Sequence, residues 1–454
     1  MLRKLSALLL ALLLLPACSA RRADIPKPKA FDPEEPLTIC FDLDGGTTDP
    51  RHYEIDRITP LYTGVETRQQ AVDLFLKDME EAGGPRDVQV EFIEGYGSLR
   101  EGQLTHMRSE LMAGKGPDLF VICQSAYSNL FLFPEKKMED GLFLCLDGYM
   151  DGAQFMEPDK MLTKVFDAGR ASDGRRFLLP MTYSLGAAVL PSSQLDIDTE
   201  QELTFSSLLD PNGGLGGVLG LWRDDEYGDP FLDMYPALGQ LADYKAESLG
   251  FSKEELGEFF AALSRYEEQL DSGEAQRPKG LHISNMLLVN GAVTSRSWAM
   301  EPLTMVPLYD SEGGVTARVN CFAGVNANAG NPAGAFWAAD YLLGHDYMQN
   351  SDIYMYIFSA TLPIYGDILG PGAHVPYVRS DPEAAPKIES GIDGNCWEAF
   401  QQLTGKITGA EFPTALDSEL TRAYCAYIAA ESGSQREKVI SEAYTAMEMM
   451  LGES

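Results

Sequence analysis

Two hydrophobic periods alternate along the first third of the chain. Leu37 to Asp42 reads as a strand that runs into a loop, LeuAspGlyGlyThrThrAsp. From about Val65 to Ala82 the apolar residues Val72, Phe75, Leu76 and Met79 recur at helical spacing, and GlyGlyPro ends the pattern. Val88, Val90 and Phe92 then alternate with polar residues, predicting a strand over Val88 to Ile93. A second helix is predicted through Leu104, Met107, Leu111 and Met112, ending at Gly114. A wholly apolar strand, Leu119 to Cys123, follows. Strand, helix, strand, helix, strand in this order predicts a parallel sheet with helices on both faces.

The rest is less regular. Residues 175–190 form another strand-like run, and 191–300 read as mainly helix and loop, broken by the glycine-rich stretch Gly213 to Gly220. That stretch has no lysine and no GK[ST] ending, so it reads as a flexible turn rather than a phosphate cradle. Val315 to Ala327 predicts a strand, Asn331 to Leu343 a helix, and Trp397 to Leu451 almost continuous amphipathic helix. The first residues have another character. Arg3 and Lys4 precede an apolar run of eleven residues from Leu5 to Leu15, shorter than the roughly 20 needed to span a bilayer. Leu15-Pro16-Ala17-Cys18 resembles a bacterial lipobox, which implies cleavage after residue 17 and a lipid on Cys18. A proline-rich tether would then occupy residues 18–36.

Removal of residues 1–17 leaves about 437, enough for two or three domains. The net charge of −33 argues against nucleic acid and anionic lipid headgroups as partners. Six cysteines beyond Cys18 are too few for a disulfide framework in a chain this long, and most lie in apolar runs, where free core thiols are expected. The five histidines form no HxxH or HExxH pair and no CxxC occurs, so neither a metal nor another cofactor is expected.

Four segments resemble, in order, those of extracellular solute-binding proteins of bacterial ABC importers, carbohydrate type. They are GlyLysGlyProAspLeuPheVal (114–121), the segment 141–151, LeuLeuProMetThrTyrSerLeuGlyAlaAlaValLeu (178–190), and 323–343 with the HisAspTyrMetGln that follows. LeuValAsnGlyAlaValThrSerArgSerTrpAlaMet (288–300) is a weaker fifth, and 222–275 matches poorly. The resemblance implies an α/β, two-lobed, periplasmic-binding-protein-like fold. Each lobe would be a mainly parallel sheet flanked by helices, with a cleft between lobes. Lobe 1 would comprise residues 37–183 and 315–375, and lobe 2 residues 184–314 and 376–454. Chain crossings are expected near Pro180–Ser184, Asp310–Val315 and Gly370–Ser380. The implied protein is a lipid-anchored, extracellular, non-enzymatic monomer that passes a small solute, most commonly a sugar, to permease subunits.

A sugar offers hydroxyls and apolar ring faces, so its pocket needs aromatics framed by hydrogen-bonding side chains. Strand ends and crossings nominate Asp44, Gln124, Ser125, Tyr127, Tyr183, Ser184, Tyr235 and, as the main stacking ring, Trp298. Trp222 and Trp397 are weaker candidates, and Trp337 reads as a core residue.

An enzyme reading competes. PheAspLeuAspGlyGlyThrThr (41–48) after a strand resembles the first motif of haloacid-dehalogenase-type phosphatases, which would make Asp42 the nucleophile and Asp44 the acid/base. The later acidic motif is missing, since Gly366-Asp367 has no second acid at the needed spacing. Asp42, Asp44 and Asp49, or the run 224–229, are weak calcium candidates whose spacing does not fit an EF-hand loop. No glycosidase carboxylate pair can be chosen among 68 acidic residues, and no GxSxG elbow is present.

Overall fold

The computed structural model describes residues 28–43, 65–93, 97–124, 129–195, 203–215, 217–223, 234–274, 276, 281–283, 302–351, 361–370 and 394–453. Its centre is a sheet begun by β1 (Leu37–Asp42), β2 (Val88–Phe92) and β3 (Leu119–Cys123). β1 lies parallel to both neighbours, with Leu37 opposite Val88 and Ile39 opposite Leu119. Helices α1 (Val65–Glu81) and α2 (Gly97–Met112) are the connections, as the alternating periods predict. Val72, Phe75 and Met79 of α1 are buried, contributing about 1.5–3 kcal/mol each. α1 ends where Gly84 passes Trp337, and a Cβ at Gly84 would lie 2.3 Å from that ring. In α2, Leu104, Met107 and Leu111 are buried but Met112 is 90% exposed, contrary to expectation. Adjacent helical residues point about 100° apart, so only Leu111 continues the stripe.

The turn before β3 is a knot of backbone bonds. Gly116 has φ 106°, a conformation that favours glycine. Asp118 then accepts from Thr38 N at 2.8 Å, from Gly330 N at 2.6 Å and from Asn331 N at 3.1 Å. One carboxylate thereby joins the start of β1 to the start of the helix Pro332–Leu342. Asn331 caps it by accepting from Gly334 N at 2.8 Å.

Four more strands complete most of the sheet: β4 (Leu178–Ser184), β10 (Val315–Val325), β11 (Leu362–Pro363) and β12 (Ile407–Glu411). The order is β11-β4-β10-β3-β1-β2, with β12 on β10. β10 is long enough to serve two neighbours on one side. Its second half runs antiparallel to β3 and its first half runs parallel to β12. A smaller sheet takes β5 (Ala187–Pro191), β8 (Leu281–Ile283) and β9 (Leu303–Pro307) in the order β8-β5-β9, and β6 (Ala242–Asp243) and β7 (Ser248–Leu249) form a separate hairpin.

Helix α3 (Lys253–Ser272) starts with a reciprocal Ser252–Glu255 capping box. α4 (Pro332–Leu342) packs on β1, β3 and β10. After α5 (Gly394–Thr404), helices α6 (Ala415–Ile428) and α7 (Gly433–Glu453) pack with α3, where the Phe260 ring lies 5.2 Å from Tyr424 and 5.6 Å from Tyr427.

The chain crosses between sheets twice in the described part. β4 passes into β5 through Leu185 and Gly186, so the run 175–190 is two strands in two sheets. The first crossing thus falls just after the expected Pro180–Ser184. β9 passes into β10 through residues 308–314, close to the expected Asp310–Val315. The third expected crossing, beyond Gly370, lies outside the described residues.

Three expectations change. The smaller sheet pairs antiparallel among the described residues, not parallel, because β5 meets β8 and β9 head to tail. Residues 191–300 hold the strand β8, which the helix-and-loop reading omitted. The tail is interrupted by β12, so residues 376–454 do not all belong with the smaller sheet. Ile407–Glu411 includes Gly409 and carries no alternation strong enough to announce a strand; β10 supplies the partner edge that makes it one.

Candidate functional site

Parallel strands present their carboxyl ends on one side of a sheet, where ligands collect in open α/β folds. β1 ends at Asp42, which is fully buried. Arg100 of α2 donates to both its oxygens, Nη1 to Oδ1 at 2.8 Å and Nη2 to Oδ2 at 2.9 Å. A nucleophile needs an exposed lone pair aimed at phosphorus. This carboxylate is committed to a bidentate pair and has no access, which removes it as the phosphatase nucleophile. Asp367 is likewise engaged, 3.0 Å from His345 Nε2. Among the described residues no three His, Cys, Asp or Glu side chains are grouped as metal ligands. Asp44, Asp49 and the run 224–229 lie outside the described residues.

At the end of β3, Gln124 is buried and acts as a brace. Its backbone N donates to Asn320 O at 2.5 Å, and its amide Nε2 donates to Phe131 O at 2.7 Å and Pro413 O at 3.0 Å. Its Oε1 is buried and makes no hydrogen bond. The brace joins β3 to the turn after β12, leaving little of Gln124 for a solute. Ser125 and Tyr127, the next candidates, lie outside the described residues.

The crossing holds Tyr183 and Ser184. Tyr183 is 1% exposed, between Val319 of β10 and Leu362 of β11, and burial pushes its hydroxyl pKa up. Ser184 is half-buried opposite Arg318. Tyr235 is a correction: it has no exposed surface, and its hydroxyl donates to Thr421 Oγ1 at 3.0 Å. It belongs to the core under α6 rather than to a binding surface. Trp298 and the Trp222 side chain lie outside the described part. Trp337 is a core ring, stacked 5.5 Å from both Phe31 and Tyr341, as its place in α4 predicts. Trp397 is half-buried and stacked on Phe400 at 5.9 Å.

Sequence reasoning missed the charged cluster where the two sheets meet. Arg318 of β10 is buried and pairs with Glu411 of β12 and Asp417 of α6. Burial alone would lower the Arg318 pKa, but Asp417 and Glu411 outweigh it and raise the value. Burial pushes Glu411 up to about 6 against the pull of Arg318. Nearby Glu135 is pushed up to about 8 by burial, only partly offset by the Phe412 N–H it accepts at 3.1 Å. A signal did exist: an arginine inside the apolar run ValThrAlaArgValAsnCys must find carboxylates or leave the sheet.

Beside this cluster lies a cavity of about 410 Å³, walled by Glu135, Lys164, Asp167, the β6–β7 hairpin and the end of β12. Carboxylates, two lysines and the Tyr244 ring face it, giving donors, acceptors and one planar apolar surface. That set suits a small, hydroxyl-rich molecule better than an apolar one.

No family model and no curated protein matches this sequence. Solved structures do. A periplasmic oligogalacturonide binding protein from Yersinia enterocolitica superposes with a TM-score of 0.52 at 12% identity, over 92% of this chain and 99% of that one. A cyclic alpha-maltosyl-1,6-maltose binding protein from Arthrobacter globiformis gives 0.49 at 14% identity, over 93% and 100%. The fold assignment rests on the first: the chain shares the fold of that structure over nearly its whole length.

Proposed function

We propose that this chain is a solute-binding protein that captures a sugar or oligosaccharide between its lobes and presents it to an ABC importer. One observation carries the reading: two sheets are joined by short crossings, β4–β5 and β9–β10, within a fold shared end to end with an oligogalacturonide binding protein. Short paired crossings permit hinge rotation, and a solute held by both lobes stabilises the closed population. Asp44 after β1, Ser125 and Tyr127 after β3, Ser184 at the crossing, and Trp298 would supply the contacts. Cys18 would carry the lipid that holds the protein at the outer face of the membrane.

Binding only the native state stabilises it by mass action, by about 2.7 kcal/mol at a hundredfold excess over Kd, and so raises the melting temperature. A thermal-shift screen against mono- and oligosaccharides is expected to yield a stabilising sugar. Trp298→Ala is expected to weaken that sugar at least tenfold, with loss of the fluorescence change. A screen of broad sugar coverage with no stabilising compound would overturn the carbohydrate reading, and an unchanged affinity would remove Trp298 from the pocket.

A further inference from the structure

We propose that Cys123 and Cys321 form a disulfide in the native, exported protein, linking the end of β3 to the middle of β10. This goes beyond the expectation of free core thiols and rests on the proposed export, which would supply the oxidising setting.

The geometry is specific. Cys123 and Cys321 are directly opposite in the antiparallel ladder. The adjacent pair, Gln124 and Asn320, is joined by Gln124 N donating to Asn320 O at 2.5 Å. Hydrogen-bonded and non-hydrogen-bonded pairs alternate along an antiparallel ladder, so the cysteines occupy a non-hydrogen-bonded position. At such positions the Cα atoms stand about 4.5 Å apart, within the range of about 4.4–6.8 Å that a disulfide spans. The sulfurs already meet: Cys321 Sγ lies 2.7 Å from Cys123 Sγ, against about 2.04 Å in a formed disulfide.

The other described cysteines lack this arrangement. Cys40 is opposite Phe120, Cys145 contacts the Asp147 carboxylate at 3.7 Å, and Cys425 is exposed.

Both sulfurs are buried, so the bond must form while the sheet is still assembling. The oxidant required is a disulfide, either that of an oxidised protein thiol oxidoreductase or that of a small molecule. The thiolate of one cysteine attacks it, forms a mixed disulfide and expels one thiolate. The second cysteine's thiolate then attacks the first Sγ and expels the other. Two electrons pass to the oxidant, which leaves as two thiols, and the pair loses two protons. The bond would hold β3 to β10, the strand that leads out of the smaller sheet.

The test is an alkylation map of the full-length product isolated from membranes, unfolded in guanidinium with iodoacetamide and no reductant. Cys40, Cys145, Cys396 and Cys425 are expected to be labelled. Cys123 and Cys321 are expected unlabelled, on one cross-linked peptide pair two hydrogens lighter than its separate peptides. Labelling of both overturns the proposal. Refolding the reduced chain in glutathione redox buffer separates the two premises. A bond there, with labelled thiols in the cell-derived protein, refutes the oxidising compartment and hence the native bond. No bond in either refutes the geometry. As a second readout, dithiothreitol should lower Tm by about 5 °C in the unsubstituted protein but not in Cys123→Ala/Cys321→Ala. An unsubstituted protein indifferent to dithiothreitol also overturns the bond.

Discussion

Two buried ionic sites among the described residues are built differently. At the end of β1, one carboxylate meets one guanidinium in a bidentate pair, and the charges cancel. Where the sheets meet, Arg318 alone faces Glu411 and Asp417, with Glu135 close behind. Burial there favours the protonated carboxyl: Glu411 is pushed up to about 6, against the pull of Arg318, and Glu135 to about 8. The pair at the end of β1 is therefore fixed, whereas the cluster around Arg318 is proton-dependent.

The largest effect should come from Arg318→Leu. It strands two buried carboxylates, and a loss of about 4–5 kcal/mol at pH 7 is expected from urea unfolding. A loss below about 1 kcal/mol would mean that the cluster is hydrated and that the contrast with Asp42 is false. Arg100→Leu should cost slightly less, about 3–4 kcal/mol, because one carboxylate rather than two loses its arginine. Adding Asp42→Leu should restore most of that loss, since a balanced pair can be replaced by apolar side chains at little cost. A double variant no better than the single one would show that the pair is needed for more than charge balance.

Glu135→Gln should have the smallest and most diagnostic effect. A carboxyl raised from 4.5 to about 8 in the folded protein binds its proton more tightly there than in the unfolded chain. Its contribution is complete below about pH 4.5 and is lost as pH rises through about 8. The unsubstituted protein should therefore lose more Tm than the variant between pH 5 and pH 8.5, by about 2–4 °C. Parallel profiles for the two proteins would remove Glu135 from the cluster.

Periodicity read most of the first sheet correctly because each element there buries one face against the next. Val72, Phe75 and Met79 lie in one stripe, and the apolar run Leu119–Cys123 is buried on both faces. Trp337 followed from its place among Phe336 and Tyr341 in a helix that the sheet covers. The same reasoning failed at β12, which has a weak pattern of its own and is a strand because β10 offers a free edge. It also failed at Tyr235: an aromatic in a loop-like stretch has the same local appearance whether it faces a solute or Thr421. Asp42 was legible as a strand-end acid, but not as one already paired with Arg100.

By itself the sequence determined the alternation of strands and helices in the first sheet and the excess of acid. These are properties of short windows, where burial imposes a period of 2 or about 3.6. Tertiary structure alone decided the pairings between distant residues. Asp118 reaches Gly330 across 212 positions, Arg318 reaches Glu411 across 93, and Cys321 reaches Cys123 across 198. No local pattern records such meetings, because a buried charge or thiol requires only that some partner be present and leaves the fold to choose which.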